Sequence, residues 1–171
     1  MKNIFAVAVL TLTVAGTASA ATSNGTLTVT GTVESSINLT VESAGGTTGG
    51  TSTGTATSAL GNVNKYGSAP TGFTLTRGAS DWTLSASIGV KVVKANLTSA
   101  NYTLTAQLGS APATGVEWKL NGSTLSNSAA TTLTSTGAYD ATPTYNWDIV
   151  VADSAAAGSI NNVINFAATS N

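Results

Sequence analysis

A long alternation of apolar and polar side chains, from residue 27 to residue 41, constrains this chain more than any other feature. Because successive side chains of a β-strand point to opposite faces, the alternation predicts a strand with an apolar face and a threonine-rich face. The apolar face would carry Leu27, Val29, Gly31, Val33, Ser35, Ile37, Leu39 and Val41. Fifteen extended residues would span about 50 Å, more than twice a usual strand. We therefore expect either a break near residues 34–36 or a first half that leaves the domain and pairs elsewhere.

Residues 1–20 have the organisation of a secretory leader. Lys2 supplies the positive start, residues 4–14 the apolar middle, and Ala18-Ser19-Ala20 the small-residue cleavage signal. The apolar stretch is too short for a membrane-spanning helix, and no other segment approaches the ~20 apolar residues that such a helix needs. The expected mature chain is exported, has no transmembrane segment and is long enough for one domain with a core.

Charge, cysteine and histidine content exclude several classes of function. Without Lys2, five basic side chains stand against seven acidic ones, so no basic surface for nucleic acid is expected. The absence of cysteine excludes disulfides and thiolate metal sites, so stability must come from core burial or from assembly. The absence of histidine removes the usual nucleophile–base pairs. We therefore expect neither an enzyme nor a cofactor.

The seven carboxylates give only weak signals for chemistry. A glycosidase needs two of them, but seven scattered acids always permit some pair. Three of them could supply oxygen ligands to calcium: Asp140, Asp148 and Asp153. Their spacing, however, matches no known calcium-binding loop. We interpret these three as solvated turn residues.

Short alternating segments follow the first one at nearly regular spacing. They centre on residues 73–77, 82–92, 102–108, 116–120, 145–151 and 159–168. Asn121-Gly122 is a hairpin signature, and a bulge is expected at Gly89 because the 82–92 segment is long. Residues 44–58 contain no large apolar side chain and predict a flexible loop. Seven to nine strands of this kind predict an all-β antiparallel sandwich.

Three tryptophans admit two interpretations. Trp82, Trp118 and Trp147 would form a sugar-stacking platform if their rings were exposed. Each of them, however, has the parity of the apolar residues in its own strand. That parity favours core positions.

The two ends of the mature chain carry related patterns. In the N-terminal pattern, apolar residues surround one small residue: Leu27, Val29, Gly31, Val33. The C-terminal pattern is a glycine fourteenth from the end followed by alternating apolar residues: Gly158, Ile160, Ile164, Phe166. These two ends resemble the ends of chaperone–usher pilins, in particular the cysteine-free colonisation-factor type. The resemblance covers about 35 residues in all.

The resemblance implies an immunoglobulin-like sandwich, formed by residues 34–171, that lacks its final strand. Residues 21–33 would be a donor-strand extension that fills the groove of a neighbouring copy, and the C-terminal segment would form one wall of that groove. The implied partners are further copies of the chain, head to tail, together with a periplasmic chaperone and an outer-membrane usher. The implied product is a pilus or fimbria outside the cell, with a role in adhesion.

Two other functions are compatible with the same sequence. A monomeric secreted carbohydrate-binding or adhesive sandwich would pair its N-terminal strand within its own sheet. An envelope or coat protein that assembles through another contact would still assemble without residues 21–33. Whether these residues pair with their own domain separates the monomeric sandwich from the pilin, and whether assembly needs them separates the pilin from the envelope or coat protein.

Overall fold

Eleven β-strands and no helix make up the part of the chain that the computed structural model describes, residues 28–45, 47–49 and 54–171. In chain order the strands are β1 (Ser36–Ala44), β2 (Thr47–Gly49), β3 (Thr57–Ser58), β4 (Thr74–Arg77), β5 (Asp81–Ala95), β6 (Asn101–Leu108), β7 (Val116–Leu120), β8 (Ser123–Thr124), β9 (Thr131–Ala138), β10 (Thr144–Ala152) and β11 (Ile164–Ser170). The predicted all-β fold is confirmed. The predicted leader and the first part of the predicted donor extension, residues 21–27 with Leu27, lie outside the described residues.

Two antiparallel sheets form the sandwich. The larger has the order β1-β5-β10-β7-β8, with β4 also paired to β5, and the smaller has the order β11-β6-β9. The alternation in each strand directs one row of side chains into a shared core, and β6 shows this most clearly. Its residues Tyr102, Leu104, Ala106 and Leu108 are buried, while the residues between them are partly exposed. This is the period-2 pattern of a strand that covers a core on one face.

The long N-terminal alternation is divided at Ser36, where β1 begins. Residues 28–35 belong to no strand, although their alternation continues that of β1. Pairing starts at Ser36 because it lies opposite Ala95, the last residue of β5, and the chain turns at Asn96 with a φ of 54°. Within β1, Val41 is buried, and Ile37 and Leu39 pack against the core, so the predicted parity is confirmed.

The bulge expected at Gly89 lies instead in the partner strand. β5 is continuous, and β1 carries the irregularity between Val41 and Ser43, opposite Val90 and Gly89. At Gly89, β5 is paired on both edges, with β1 on one side and with Thr144 of β10 on the other. An extra residue in β5 would disturb two ladders, whereas one in the end strand β1 disturbs a single ladder.

The prediction of a flexible loop over residues 44–58 is wrong for the described part of that range. Ala44 is the last residue of β1, and β2 and β3 form a small antiparallel ladder of their own. The Ser58 hydroxyl also donates a hydrogen bond to the Gly45 carbonyl. Small residues without a large apolar side chain still carry backbone groups that need partners, and the ladder supplies them.

The C-terminal strand begins later than the predicted range of 159–168. β11 starts at Ile164, because just before it the side chain of Asn162, rather than a ladder partner in β6, bonds to the neighbouring backbone groups. The Asn162 amide nitrogen donates to the Ser110 carbonyl at 3.0 Å, and its amide oxygen accepts from the Val163 backbone nitrogen at 2.8 Å. Such local side-chain bonds compete with strand pairing. The predicted parity of the strand is confirmed, because Ile164 and Phe166 pack against the core.

The predicted hairpin at Asn121-Gly122 is confirmed. Both residues have positive φ angles, 46° and 80°, and Leu120 pairs with Ser123 across the turn. Two successive positive φ angles are the requirement of the two-residue turn that suits the twist of a hairpin.

Replacing Tyr102 by phenylalanine is expected to stabilise the domain. Tyr102 is fully buried, and its hydroxyl has no hydrogen-bond partner among the described residues. A buried hydroxyl without a partner costs about 1–3 kcal/mol, and phenylalanine removes that cost while it keeps the ring. We expect Tyr102→Phe to raise the free energy of unfolding by roughly 1 kcal/mol in denaturant titrations at neutral pH. The control is Tyr139→Phe, which removes a hydroxyl that donates to the Asn101 carbonyl at 3.3 Å and should not stabilise.

The same substitution is expected to change how stability depends on pH. Burial, and secondarily the charge of Tyr139, raise the pKa of Tyr102 above its ordinary value. Above about pH 10, the ordinary pKa of tyrosine, the unfolded state releases this proton while the folded state still keeps it. The free energy of unfolding is therefore unaffected by Tyr102 ionisation below about pH 10 and falls as the pH rises further. Tyr102→Phe should flatten that alkaline decline. Some alkaline loss of stability should remain in this variant, because the pKa of Tyr145 is raised as well, mainly by burial and secondarily, in the unmodified chain, by the charge of Tyr102. An unchanged pH profile would contradict this explanation.

Candidate functional site

The candidate site lies where two end strands of the sandwich come together. β1 is the end strand of the larger sheet and β11 that of the smaller, and in the described part of the chain each has a single ladder partner, β5 and β6 respectively. The two strands approach each other, with some Cα atoms within 8 Å. An end strand presents backbone N–H and C=O groups along its outer side, and these groups can accept a further strand.

A groove of about 1450 Å³ is lined by residues of both strands. It is larger than the ~300–1,000 Å³ of ordinary small-molecule pockets. Filled with water, it would hold about 50 molecules at ~30 Å³ each. Much of its lining belongs to the core or packs against it: Leu39, Val41, Trp82, Ile88, Val116, Trp118, Trp147, Ile160, Ile164 and Phe166. Water against such side chains is unfavourable, whereas polar lining residues such as Asn62, Asn161 and Asn165 are compatible with water. The groove therefore suits a polypeptide segment that carries both apolar and polar side chains.

All four residues predicted for the acceptor wall line this groove. Ile160, Ile164 and Phe166 pack against the core, and Gly158 lies in the segment between β10 and β11. Gly158 has no heavy atom within 4 Å of the place where a Cβ would stand, so packing does not require glycine there.

Two of the residues predicted to act as donors are among the most exposed large apolar residues in the described part of the chain. Val29 is 84% exposed and Val33 is 79% exposed, although valine is among the residue types most often buried in folded proteins. Gly31, between them, has open space around it. Their order, apolar then small then apolar, is the pattern on which the resemblance to the N-terminal extension of pilins rests.

The tryptophans occupy core positions, as their parity predicts. Trp82, Trp118 and Trp147 are each less than a tenth exposed. Trp147 is stacked near Trp118, with ring centroids 6.0 Å apart, and meets the edge of Phe73 at 5.3 Å. A sugar-stacking platform needs exposed ring faces, so the burial of these rings argues against that interpretation.

Sequence reasoning missed one part of the groove, the segment 54–66. Leu60 and Val63 of this segment line the groove and pack against the core. The segment is joined to the end of β10 by an ion pair in which the Lys65 Nζ lies 2.7 Å and 2.9 Å from the two carboxylate oxygens of Asp153. The Lys65 side chain is only 13% exposed. Leu60 and Val63 are three positions apart, with only glycine and asparagine between them, so they form no two-residue alternation that would predict a strand.

The carboxylates considered for calcium do not come together as ligands. Asp140 is an exposed turn residue with a positive φ, Asp148 lies inside β10 opposite Lys119, and Asp153 is paired with Lys65. The interpretation as turn residues is therefore wrong for Asp148, whose strand continues through it. In the described ranges no group of three or more acidic, histidine or cysteine side chains is arranged to hold a metal. Nor does that part of the chain contain a helix long and apolar enough to cross a membrane.

Comparison with known proteins adds no family assignment. No protein-family model matches the chain, and no curated protein matches it in sequence.

Proposed function

We propose that this protein is a structural subunit of an extracellular fibre, a pilus or fimbria, that assembles by donor-strand exchange. Residues 21–33 of one subunit would lie in the groove between β1 and β11 of the next. The observation that carries this proposal is the groove, which residues of the core and residues packed against it line, and to which two end strands of the sandwich contribute. One additional strand would supply backbone partners to the end strands and apolar side chains to the groove.

The chemistry of residues 21–33 supports them as the occupant. The segment has no charged side chain, and its apolar residues repeat every second position. Leu27, Val29 and Val33 would enter the groove, and burying three such side chains is worth roughly 5 to 8 kcal/mol before ordering costs. Gly31 would pass a point where a side chain does not fit, or leave room during strand exchange.

A contact of this kind is head to tail and does not close on itself. The donor segment and the groove are different surfaces, so each subunit can give one strand and receive another, and repetition without closure produces a fibre. The proposal includes what the resemblance to pilins implies: an immunoglobulin-like sandwich lacking its last strand, delivery by a periplasmic chaperone and an outer-membrane usher, and a place at the cell surface with a possible role in adhesion.

Two observations weigh against the monomeric carbohydrate-binding alternative. Its tryptophan platform would need exposed rings, whereas all three rings are buried. Its N-terminal alternation would pair within its own sheet, whereas residues 28–35 belong to no strand. The envelope or coat alternative has the same fold as the proposal but assembles through a contact other than the donor strand. Only an assembly experiment separates the two.

Replacing residues 21–33 by a glycine–serine segment of the same length is expected to abolish assembly. The mature chain and this variant are compared by light scattering and electron microscopy under the same conditions. We expect fibres only from the unmodified chain, and a one-to-one complex when the variant receives a synthetic peptide of residues 21–33. Fibres from the variant would overturn the proposal and favour assembly through another contact.

A further inference from the structure

Part of the groove is already covered by the chain itself. Residues 54–66, called here the covering segment, line the groove, and Ala56, Leu60 and Val63 pack against the core from it. These side chains lie on surface that an incoming strand would need. The covering segment is therefore an internal occupant of the site.

The two ends of the covering segment are held in different ways. Near its start, Thr57 and Ser58 form the ladder with β2. At its other end, the Lys65 carbonyl accepts a hydrogen bond from the Arg77 Nε at 2.5 Å, and the Lys65 ammonium reaches Asp153. Between these ends, the apolar side chains of Leu60 and Val63 pack against the core. Apolar contacts are not directional, so another apolar segment can replace them.

Among the described residues, the Lys65–Asp153 pair is the ion pair that joins two segments of the groove lining. Lys65 belongs to the covering segment, and Asp153 begins the connection from β10 to β11 that carries Gly158 and Ile160. Arg77, the last residue of β4, donates hydrogen bonds to the Lys65 and Gly67 carbonyls, so the backbone that carries the lysine side chain is held against β4. Breaking the ion pair would free the covering segment from the opposite wall without removing any strand.

We infer that the covering segment is a displaceable cover of the groove and that the Lys65–Asp153 ion pair is its latch. The inference rests on the proposed function, because the cover competes with the incoming segment 21–33. Opening the latch precedes entry of that segment, so the rate of entry depends on the strength of the ion pair. Salt should therefore accelerate entry even though the entering segment carries no charged side chain.

The test uses the full mature chain with Val29→Asp, which keeps its groove but is a poor donor. The probe is a fluorescent peptide of residues 21–33 with neutral, capped ends. Asp153→Asn and Lys65→Met each remove one charge of the latch, and exchanging the two residues, Lys65→Asp with Asp153→Lys, restores an opposite pair. The matched control is Lys119→Met, which breaks the Lys119–Glu117 pair of β7, 3.0 Å long and outside the groove lining.

We expect both single latch variants to bind the peptide about two- to fivefold faster than the parent, the factor appropriate to one partly exposed ion pair. The exchanged pair should return toward the parent rate, and Lys119→Met should not differ from it. Raising the salt concentration from about 0.01 M to about 1 M shortens the Debye length from roughly 30 Å to roughly 3 Å and should speed binding to the parent but not to Asp153→Asn.

Hydrogen exchange gives a readout that needs no peptide. Backbone amides of residues 59–64 should exchange faster in Asp153→Asn than in the parent, while those of β6 should not change. Equal rates of peptide binding and of exchange in all variants would overturn the latch and leave the proposed function standing. If no variant binds the peptide, the proposed function fails and the latch fails with it.

Discussion

Val29→Asp is expected to stop fibre growth. Val29 is 84% exposed in the described chain, so the substitution should not disturb the fold of the subunit that carries it. In the groove of a neighbour, the aspartate would place a carboxylate among apolar side chains without a partner, which costs several kcal/mol. That cost cancels most of what three apolar donor side chains contribute.

The matched control is Thr30→Asp, which adds the same charge one position along the donor. Because side chains alternate, residue 30 would point away from the groove when residue 29 points into it. Thr30→Asp should therefore assemble, while Val29→Asp should not. Mixed with the unmodified chain, Val29→Asp subunits accept a strand but do not donate one, so electron microscopy should show fewer and shorter fibres. Equal effects of the two substitutions would contradict a role for parity and hence for Val29.

A subunit that carries its own donor is expected to be a stable monomer. In this design, residues 21–33 are removed from the N-terminus, and residues 21–36 are appended after Asn171 through a short flexible linker. Since β11 ends at Ser170, the appended segment can turn back along the end strand. A short linker gives an effective concentration in the millimolar range, so the groove should be filled continuously.

The expected gain is measured by thermal unfolding. Each kcal/mol shifts the melting temperature of a domain of this size by about 2–4 °C, so a net gain of a few kcal/mol should raise it by roughly 10 °C. The control has the same appended segment with Val29→Asp in it. Equal melting temperatures for the two designs would mean that the groove does not need a strand.

Period and parity were sufficient to predict much of this fold. Trp82, Leu84, Tyr102 and Trp118 lie on the core face because each shares the parity of the apolar residues in its strand. The acceptor wall was predicted for the same reason, since Ile164 and Phe166 alternate with Asn165 and Ala167. Short antiparallel strands leave this signal in the sequence because one face is buried and the other is not.

Features that depend on contacts distant in sequence could not be predicted. The start of β11 depends on Asn162, whose side chain bonds to Ser110 some fifty residues earlier. The position of the bulge depends on β10, which pairs with the other edge of β5. The latch needs Lys65 and Asp153, which are separated by 88 positions. No local pattern marks such pairs, because their energy arises only when the chain has folded.

The start of β1 at Ser36 has a mechanical consequence. The proposed donor extension, residues 21–33, is followed after two residues by β1, whose ladder with β5 begins at Ser36 and continues to Ala44, the last residue of the strand. Pulling force along a fibre would therefore act parallel to β1, while the hydrogen bonds of an antiparallel ladder are perpendicular to the strands. A load applied in this direction shears the bonds together rather than opening them one after another. A shaft built from such subunits would resist tension best in the direction in which it grows.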